Sequence, residues 1–207
     1  MSYAQKYEIG FFAGGNNVIG DIGTNIYIAP YQPSFGGVFK WNKDERVTLR
    51  ADFYHSWTRS VGSSVFDTEA YPHKFRNGIV NGEVGVEWNI LPYNLRYKRG
   101  LGKPWTPYMF VGIGGVMFEK IQDNDNDGNF EDDGYGYGVS IPFGVGYKYA
   151  INHSWVLAAD LMFRYVTSDD LDYSDTKQLG NLNSHDWFTT VGITLTYIFG
   201  RDACPCG

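Results

Sequence analysis

The sequence predicts an all-β protein, an eight-stranded antiparallel transmembrane β-barrel with short periplasmic turns and long extracellular loops. Three observations lead there. Eight segments alternate apolar with polar or tiny residues over nine or more positions, the last ending at Phe199. Aromatic residues sit at both ends of the apolar faces, and the connections between segments alternate between short and long. Successive side chains of a strand point to opposite faces, so each segment carries one greasy and one polar surface. Length, repetition and aromatic ends together separate a membrane barrel from an ordinary soluble sheet.

The apolar faces follow in order. The first is Tyr7, Ile9, Phe11 and Ala13; the second Phe35, Gly37, Phe39 and Trp41; the third Val47, Leu49, Ala51 and Phe53. The fourth is the clearest, with Val80, Val84, Val86, Trp88 and Ile90 on one face and Asn81, Glu83, Glu87 and Asn89 on the other. The fifth, Trp105 to Phe118, is apolar on both faces, which leaves its register open. The sixth is Val139, Ile141, Phe143, Val145, Tyr147 and Tyr149; the seventh Trp155, Leu157, Ala159, Leu161, Phe163 and Tyr165. The eighth is Trp187, Thr189, Val191, Ile193, Leu195, Tyr197 and Phe199.

Short turns follow the second segment (Asn42 to Glu45) and the sixth (Ala150 to His153), and a middling one, Leu91 to Pro104, follows the fourth. Connections after the first, third, fifth and seventh are long, roughly 17 to 21 residues. In outer-membrane barrels short turns face the periplasm and long loops face outward, so both termini are expected in the periplasm. Tyr7, Trp41, Trp88, Trp155 and Tyr197 collect at the short-turn end, and Trp57, Tyr165 and Trp187 at the other. These are two interfacial girdles.

Composition agrees. Of 207 residues, 17% are aromatic and only 19% charged, and 26 are glycine. No apolar run of about 18 residues occurs, which excludes a helical membrane protein. A formal charge of −6 without a basic cluster argues against nucleic acid as a partner. Residues 6–200 form the barrel, and 201–207 a periplasmic tail containing Cys-Pro-Cys. Ser2-Tyr3-Ala4 resembles the small-x-small end of a signal-peptidase site, so residues 1–5 read as a signal-peptide remnant or N-terminal stub.

The polar faces carry Lys6, Glu8, Lys40, Arg50, Asp52, Glu83, Glu87, Lys148, Asp160 and Arg164. The interior of an eight-stranded barrel is just filled by side chains. Charges buried there must be paired. A structural salt-bridge network is therefore expected rather than catalysis, because the charges are spread around the barrel and not gathered near one loop.

Four features could carry function. The turn Tyr93 to Arg99 holds Arg96, Lys98 and Arg99, and reads either as a solvated turn near anionic headgroups or as a docking surface for a periplasmic protein. In the loop from Asp123, acids at relative positions 1, 3 and 5 followed by Gly128 match the first half of an EF-hand loop. Asp123, Asp125, Asp127, Asn129 and Glu131 are the candidate calcium ligands, although position 12 is Gly134 where a bidentate Glu belongs. The rival is a solvated acidic loop. Cys204 and Cys206 are too close in sequence for a relaxed bridge, leaving a strained local disulfide or an intermolecular one. Finally, His55-Ser56, His153-Ser154 and Ser184-His185 are each adjacent, hence on opposite faces if extended, so no Ser/His/Asp site can be assembled.

Several landmarks together resemble a known family. They are Gly14-Gly15-Asn16-Asn17-Val18-Ile19-Gly20-Asp21-Ile22-Gly23, Tyr27-Ile28-Ala29-Pro30, Pro33-Ser34-Phe35-Gly36 leading to Lys40-Trp41-Asn42, Thr106-Pro107-Tyr108, Gly180 to Trp187, and Thr194 to Gly200. The chain resembles, over nearly its whole length, the PorG-type outer-membrane barrels of the Bacteroidetes type IX secretion system. The resemblance implies a non-enzymatic accessory that binds the periplasmic ring of PorK and PorN, anchors it to the outer membrane and supports secretion and gliding motility. It implies no catalytic residues and no cofactor. The calcium reading rests on spacing alone. Competing readings are an independent structural or adhesive outer-membrane barrel, an outer-membrane lipid-modifying enzyme, and a soluble lipocalin-like barrel. The last leaves the two aromatic girdles unexplained.

Overall fold

A computed structural model describes residues 7–19, 32–61, 74–93, 103–122, 131–166 and 187–200. Eight strands appear where eight were expected: β1 (Tyr7–Ile19), β2 (Gln32–Asn42), β3 (Val47–Val61), β4 (Lys74–Asn89), β5 (Trp105–Gln122), β6 (Glu131–Ala150), β7 (Trp155–Val166) and β8 (Trp187–Phe199). Each pairs antiparallel with its chain neighbours, and β1 closes on β8 from Tyr7↔Phe199 to Ile19↔Trp187. Closure removes sheet edges, whose bare N–H and C=O groups could not be satisfied in hydrocarbon.

The short turns are built by side chains that imitate backbone acceptors. Asp44 Oδ1 accepts from the N–H groups of Arg46 and Val47 at 2.7 and 2.8 Å. Asn152 Oδ1 does the same for Ser154 and Trp155 at 2.8 and 2.9 Å. Asp and Asn favour turns for this reason.

Four hairpin arms run further than alternation alone suggests. β3 continues to Val61 against a β4 that begins at Lys74 rather than Val80, and β5 continues to Gln122 against a β6 that begins at Glu131. The connections are therefore residues 20–31, 62–73 and 123–130, shorter than expected, whereas 167–186 keeps its expected length. Antiparallel pairing is sustained by backbone hydrogen bonds and needs no apolar face once a hairpin leaves the barrel. Near the tip of β5–β6 the pairs Glu119↔Tyr135 and Ile121↔Asp132 leave Asp133 and Gly134 opposite Lys120. Gly134 adopts φ +95° at this bulge, a conformation glycine takes without strain.

The open register of β5 is settled by its neighbour. Glu87 pairs with Phe110 and Glu83 with Gly114, which puts Tyr108, Phe110, Val116 and Phe118 inside and Met109, Val111 and Ile113 outside. The predicted apolar faces lie on the exterior, where Phe53 and Ile113 are each 58% exposed, except at Thr189, which was expected on the outward face of the eighth strand and is buried. The surface is inverted relative to a soluble protein, as a lipid-facing barrel requires.

Aromatic contacts mark both rims. At the short-turn end Tyr7 stacks on Phe199 at 5.8 Å, Trp155 meets Tyr197 at 5.2 Å, and Trp105 stacks on Tyr147 at 5.7 Å. At the long-loop end Trp57 packs edge-on to Phe35 at 6.1 Å, and Trp187 meets Tyr165 at 5.1 Å.

Candidate functional site

Period-two alternation sends nine of the predicted charges into the lumen. Glu8, Lys40, Arg50, Asp52, Glu83, Glu87, Lys148, Asp160 and Arg164 are all at most 4% exposed. Lys6 lies outside the described residues, so the described set is four cations and five carboxylates rather than a balanced ten.

Two clusters organise these groups. In the first, Glu87 receives Lys40 Nζ at 2.8 Å and Lys148 Nζ at 2.5 Å, with Arg50 at 3.6 Å. Arg50 also donates to Asp52 at 2.7 Å and to Asp160 at 2.9 Å, tying β3 to β7 across the lumen. Asp160 is completed by the hydroxyls of Tyr108 and Thr194. In the second, Arg164 makes a two-pronged contact with Glu83 at 2.8 and 2.9 Å and donates to Thr190 at 2.7 Å. Asn81 adds a further bond to Glu83 at 2.9 Å. Two parallel N–H···O bonds make the Arg164 pair stronger and more directional than a single contact.

Among the described residues Glu8 is in no ion pair closer than 4 Å. Its hydrogen bonds from described side chains come from neutral groups, Asn42 at 2.8 Å and Thr196 at 2.7 Å. A buried carboxylate can be satisfied by donors that carry no charge.

Rings fill what charges do not. Arg164 lies 4.8 Å from the Tyr54 ring centre and 5.2 Å from that of Phe188, and Arg50 lies 5.3 Å from Phe110. At the long-loop end Ile79, Val116, Phe118, Val166 and Phe188 form an apolar cap. At the short-turn end Tyr93 packs on Val156 and Ile198, with Lys148 4.8 Å from its ring centre. Burial, with the Glu8 and Glu87 carboxylates adding to it, pushes the Tyr93 phenol up, so the plug stays neutral. The polar middle is thus closed at both ends by apolar groups. A planar bilayer holding the purified barrel is expected to show no stepwise current; open-channel steps would disprove the closed lumen.

Several lumen residues escaped sequence reading: Phe12, Tyr54, Tyr108, Phe110, Thr190, Thr194 and Thr196. A signal was present, since rings on the polar parity sit beside inward glycines. A Cβ on Gly146 would come within 2.3 Å of the Tyr108 ring, and one on Gly192 within 2.4 Å of Phe12.

The remaining candidates divide as follows. Ser56 points inward and shares a hydrogen bond with Ser34 at 2.7 Å, while His55 packs edge-on against Trp57 at 4.5 Å on the outside. His55 and Ser56 therefore lie on opposite faces, as expected. Arg96, Lys98, Arg99, Ser184, His185, Cys204 and Cys206 lie outside the described residues, as do Asp123, Asp125, Asp127 and Asn129. Glu131, the last calcium candidate, lies in β6 opposite Gln122. Among the described residues no three His, Cys, Asp or Glu side chains gather as metal ligands.

The barrel is similar in fold to solved structures of surface proteins. Neisserial surface protein A (NspA) matches at 9% identity with a TM-score of 0.57, covering 93% of this chain and 97% of its own. Ail, the attachment invasion locus protein of Yersinia pestis, matches at 12% identity with a TM-score of 0.51, covering 95% and 99%. Ail in complex with the heparin analogue sucrose octasulfate matches at the same identity and coverage with a TM-score of 0.53. At these identities the likeness is one of fold, a closed barrel of eight antiparallel strands. A comparison with curated proteins by sequence finds no match. One family model spans the whole chain, residues 1–207, and the protein belongs to that family, the domain of unknown function DUF6089.

Proposed function

We propose that this barrel is a non-enzymatic, non-conducting outer-membrane component of a type IX secretion system, which holds a periplasmic PorK/PorN ring against the membrane and thereby supports secretion and gliding motility. The observation that carries the reading is the closed lumen inside an apolar exterior. With the interior occupied by ion pairs and rings, the barrel wall supplies a lipid anchor, and only the two end surfaces remain to do work. At the short-turn end Tyr7 pairs with Trp41 on one side and Phe199 on the other. The assignment to the secretion machine is supported by the resemblance over Gly14–Gly23, Tyr27–Pro30, Pro33–Gly36, Lys40–Asn42, Thr106–Tyr108, Gly180–Trp187 and Thr194–Gly200. On this reading Arg96, Lys98 and Arg99 form the docking turn, and Cys204 or Cys206 bonds to the partner.

The test is a mild detergent extraction of native outer membranes, with the chain captured under non-reducing conditions. Ring proteins should come with it, in a band that collapses on reduction. Recovery of the barrel alone, with intact rings elsewhere in the gradient, would defeat the anchor role. That result would favour a second reading, an independent adhesive barrel. Its support is the aromatic surface of the long β5–β6 hairpin, where Tyr135 and Tyr137 are 55% and 71% exposed.

A further inference from the structure

One imidazole stands in the outer wall of the barrel. His55 on β3 shares the outward parity of Phe53 and Trp57, is half-buried, and sets its ring edge-on to Trp57 at 4.5 Å. Directly opposite it are Phe35 on β2 and Val80 on β4, and the diagonal positions hold only glycines and Pro33. None of these side chains can accept a hydrogen bond, and Trp57 carries only a donor. Among the described residues no hydrogen bond reaches the His55 ring, whose one contact is the face of Trp57. An imidazole bears at least one N–H in either protonation state. Left unmet in hydrocarbon, that N–H is costly.

The wall beside His55 is open. The row next to it runs Phe53↔Gly82↔Gly115↔Val139, with two bare glycines side by side between exposed apolar residues. A Cβ on Gly82 would meet nothing within 4 Å, and one on Gly115 nothing nearer than the Gly138 carbonyl oxygen at 4.0 Å. The result is a shallow bay two strands wide, diagonal to His55. Trp57 belongs to the aromatic girdle that marks the edge of the hydrocarbon. Two residues of strand span about 7 Å and strands tilt by about 35–45°, so His55 lies roughly 5 Å inside that edge. At this depth a lipid offers the carbonyl oxygens that join its acyl chains to the headgroup.

We propose that His55, with the bay over Gly82 and Gly115, is a binding site for one acyl chain of a bilayer lipid. The imidazole N–H donates to the carbonyl oxygen of the chain's linkage, and the first methylenes lie against the bare glycines. The hydrogen bond meets the donor that the chain leaves open, and the bay supplies apolar contact. The site rests on the membrane-spanning barrel, not on any role in secretion.

The test uses the full chain in nanodiscs made from equal parts of ester-linked and ether-linked phosphatidylcholine with identical chains, which differ only in the carbonyl. After extraction into mild detergent, retained lipid is counted by mass spectrometry. Wild type should retain the ester form about fivefold over the ether form, the order of one net hydrogen bond. H55F keeps a ring against Trp57 but has no N–H, and should bring the ratio to about one with unchanged heat-modifiable mobility. H55N, which keeps a donor, should preserve part of the preference. G82F fills the bay and should lower the retention of both lipids. Equal retention by wild type overturns the site, and a preference that persists in H55F belongs to the tryptophan girdle and overturns it as well. Retention undiminished in G82F would remove the bay from the site. A dimer in native mass spectrometry that H55F disrupts would replace the lipid by a second copy of the chain. Unfolding in vesicles gives a second readout: H55F should lower the midpoint in ester lipid and leave it unchanged or raised in ether lipid. A midpoint lowered equally in both would mark a packing role instead. Failure of the chain to enter nanodiscs would defeat the membrane-spanning reading itself, a result distinct from lost lipid selectivity.

Discussion

Replacing Glu87 by Ala is expected to destabilise the barrel by about 3–5 kcal/mol, the range for removing one partner of a buried ion pair. Glu87 is fully buried and receives Lys40 and Lys148 directly, with Arg50 at 3.6 Å. Without it, three cations face one another in the lumen, while Asp52 and Asp160 are already engaged by Arg50 and Glu8 by Asn42 and Thr196. A surface pair would give no such effect, since exposed ion pairs contribute about 0–1 kcal/mol. Urea unfolding of the barrel in phospholipid vesicles, followed by tryptophan fluorescence, measures the difference. A loss below about 1 kcal/mol would mean that water reaches the cluster and screens it. Replacing Lys40, Glu87 and Lys148 together by Met should recover much of the stability, because the penalty in E87A comes from stranded charge rather than lost attraction.

Gly146→Ala is the second large effect. The added methyl would meet the Tyr108 ring at 2.3 Å, its hydroxyl at 2.4 Å and the Ala159 carbonyl oxygen at 2.8 Å. Tyr108 is itself fixed by its hydrogen bond to Asp160, so the ring cannot swing away without breaking that bond, made to the same carboxylate oxygen that Arg50 holds. Overpacking of this kind costs about 1–3 kcal/mol, and loss of the buried hydrogen bond adds about 1–3 more. Gly82→Ala is the control, since its Cβ would meet nothing within 4 Å. The same unfolding assay should place G146A well below wild type and G82A within about 0.5 kcal/mol of it. Comparable losses in the two variants would show that backbone propensity, and not the Tyr108 contact, sets the requirement for glycine. Combining G146A with Y108A should relieve the clash and separate the two contributions.

How much of this was legible in sequence differs by level. Period-two alternation is a local property of the extended chain, so the eight strands, their outward faces and the inward charges could be read without neighbours. β4 shows the limit in that direction, since Glu83 and Glu87 were identifiable as lumen residues from five alternating positions alone. β5 shows the opposite limit. With apolar residues on both faces its parity carries no signal, and only pairing with β4 decides that Tyr108 and Phe110 turn inward.

The aromatic ends of the segments were also readable, because bilayer interfaces select tryptophan and tyrosine wherever a strand crosses them. The length of the hairpin arms was not. Past Phe53 and before Val80 the apolar alternation fades while backbone pairing continues, and pairing leaves no mark in composition.

By itself, then, the sequence determined the class of the fold, which residues face lipid and which charges must be buried. Tertiary structure alone decided the partners: that Arg50 joins Asp52 on its own strand to Asp160 on β7, that Arg164 grips Glu83, and that Asn42 and Thr196 donate to Glu8. The physical reason is that a face is set by the geometry of one strand. A partner is set by the stagger with which eight strands close into a ring, which no single segment encodes.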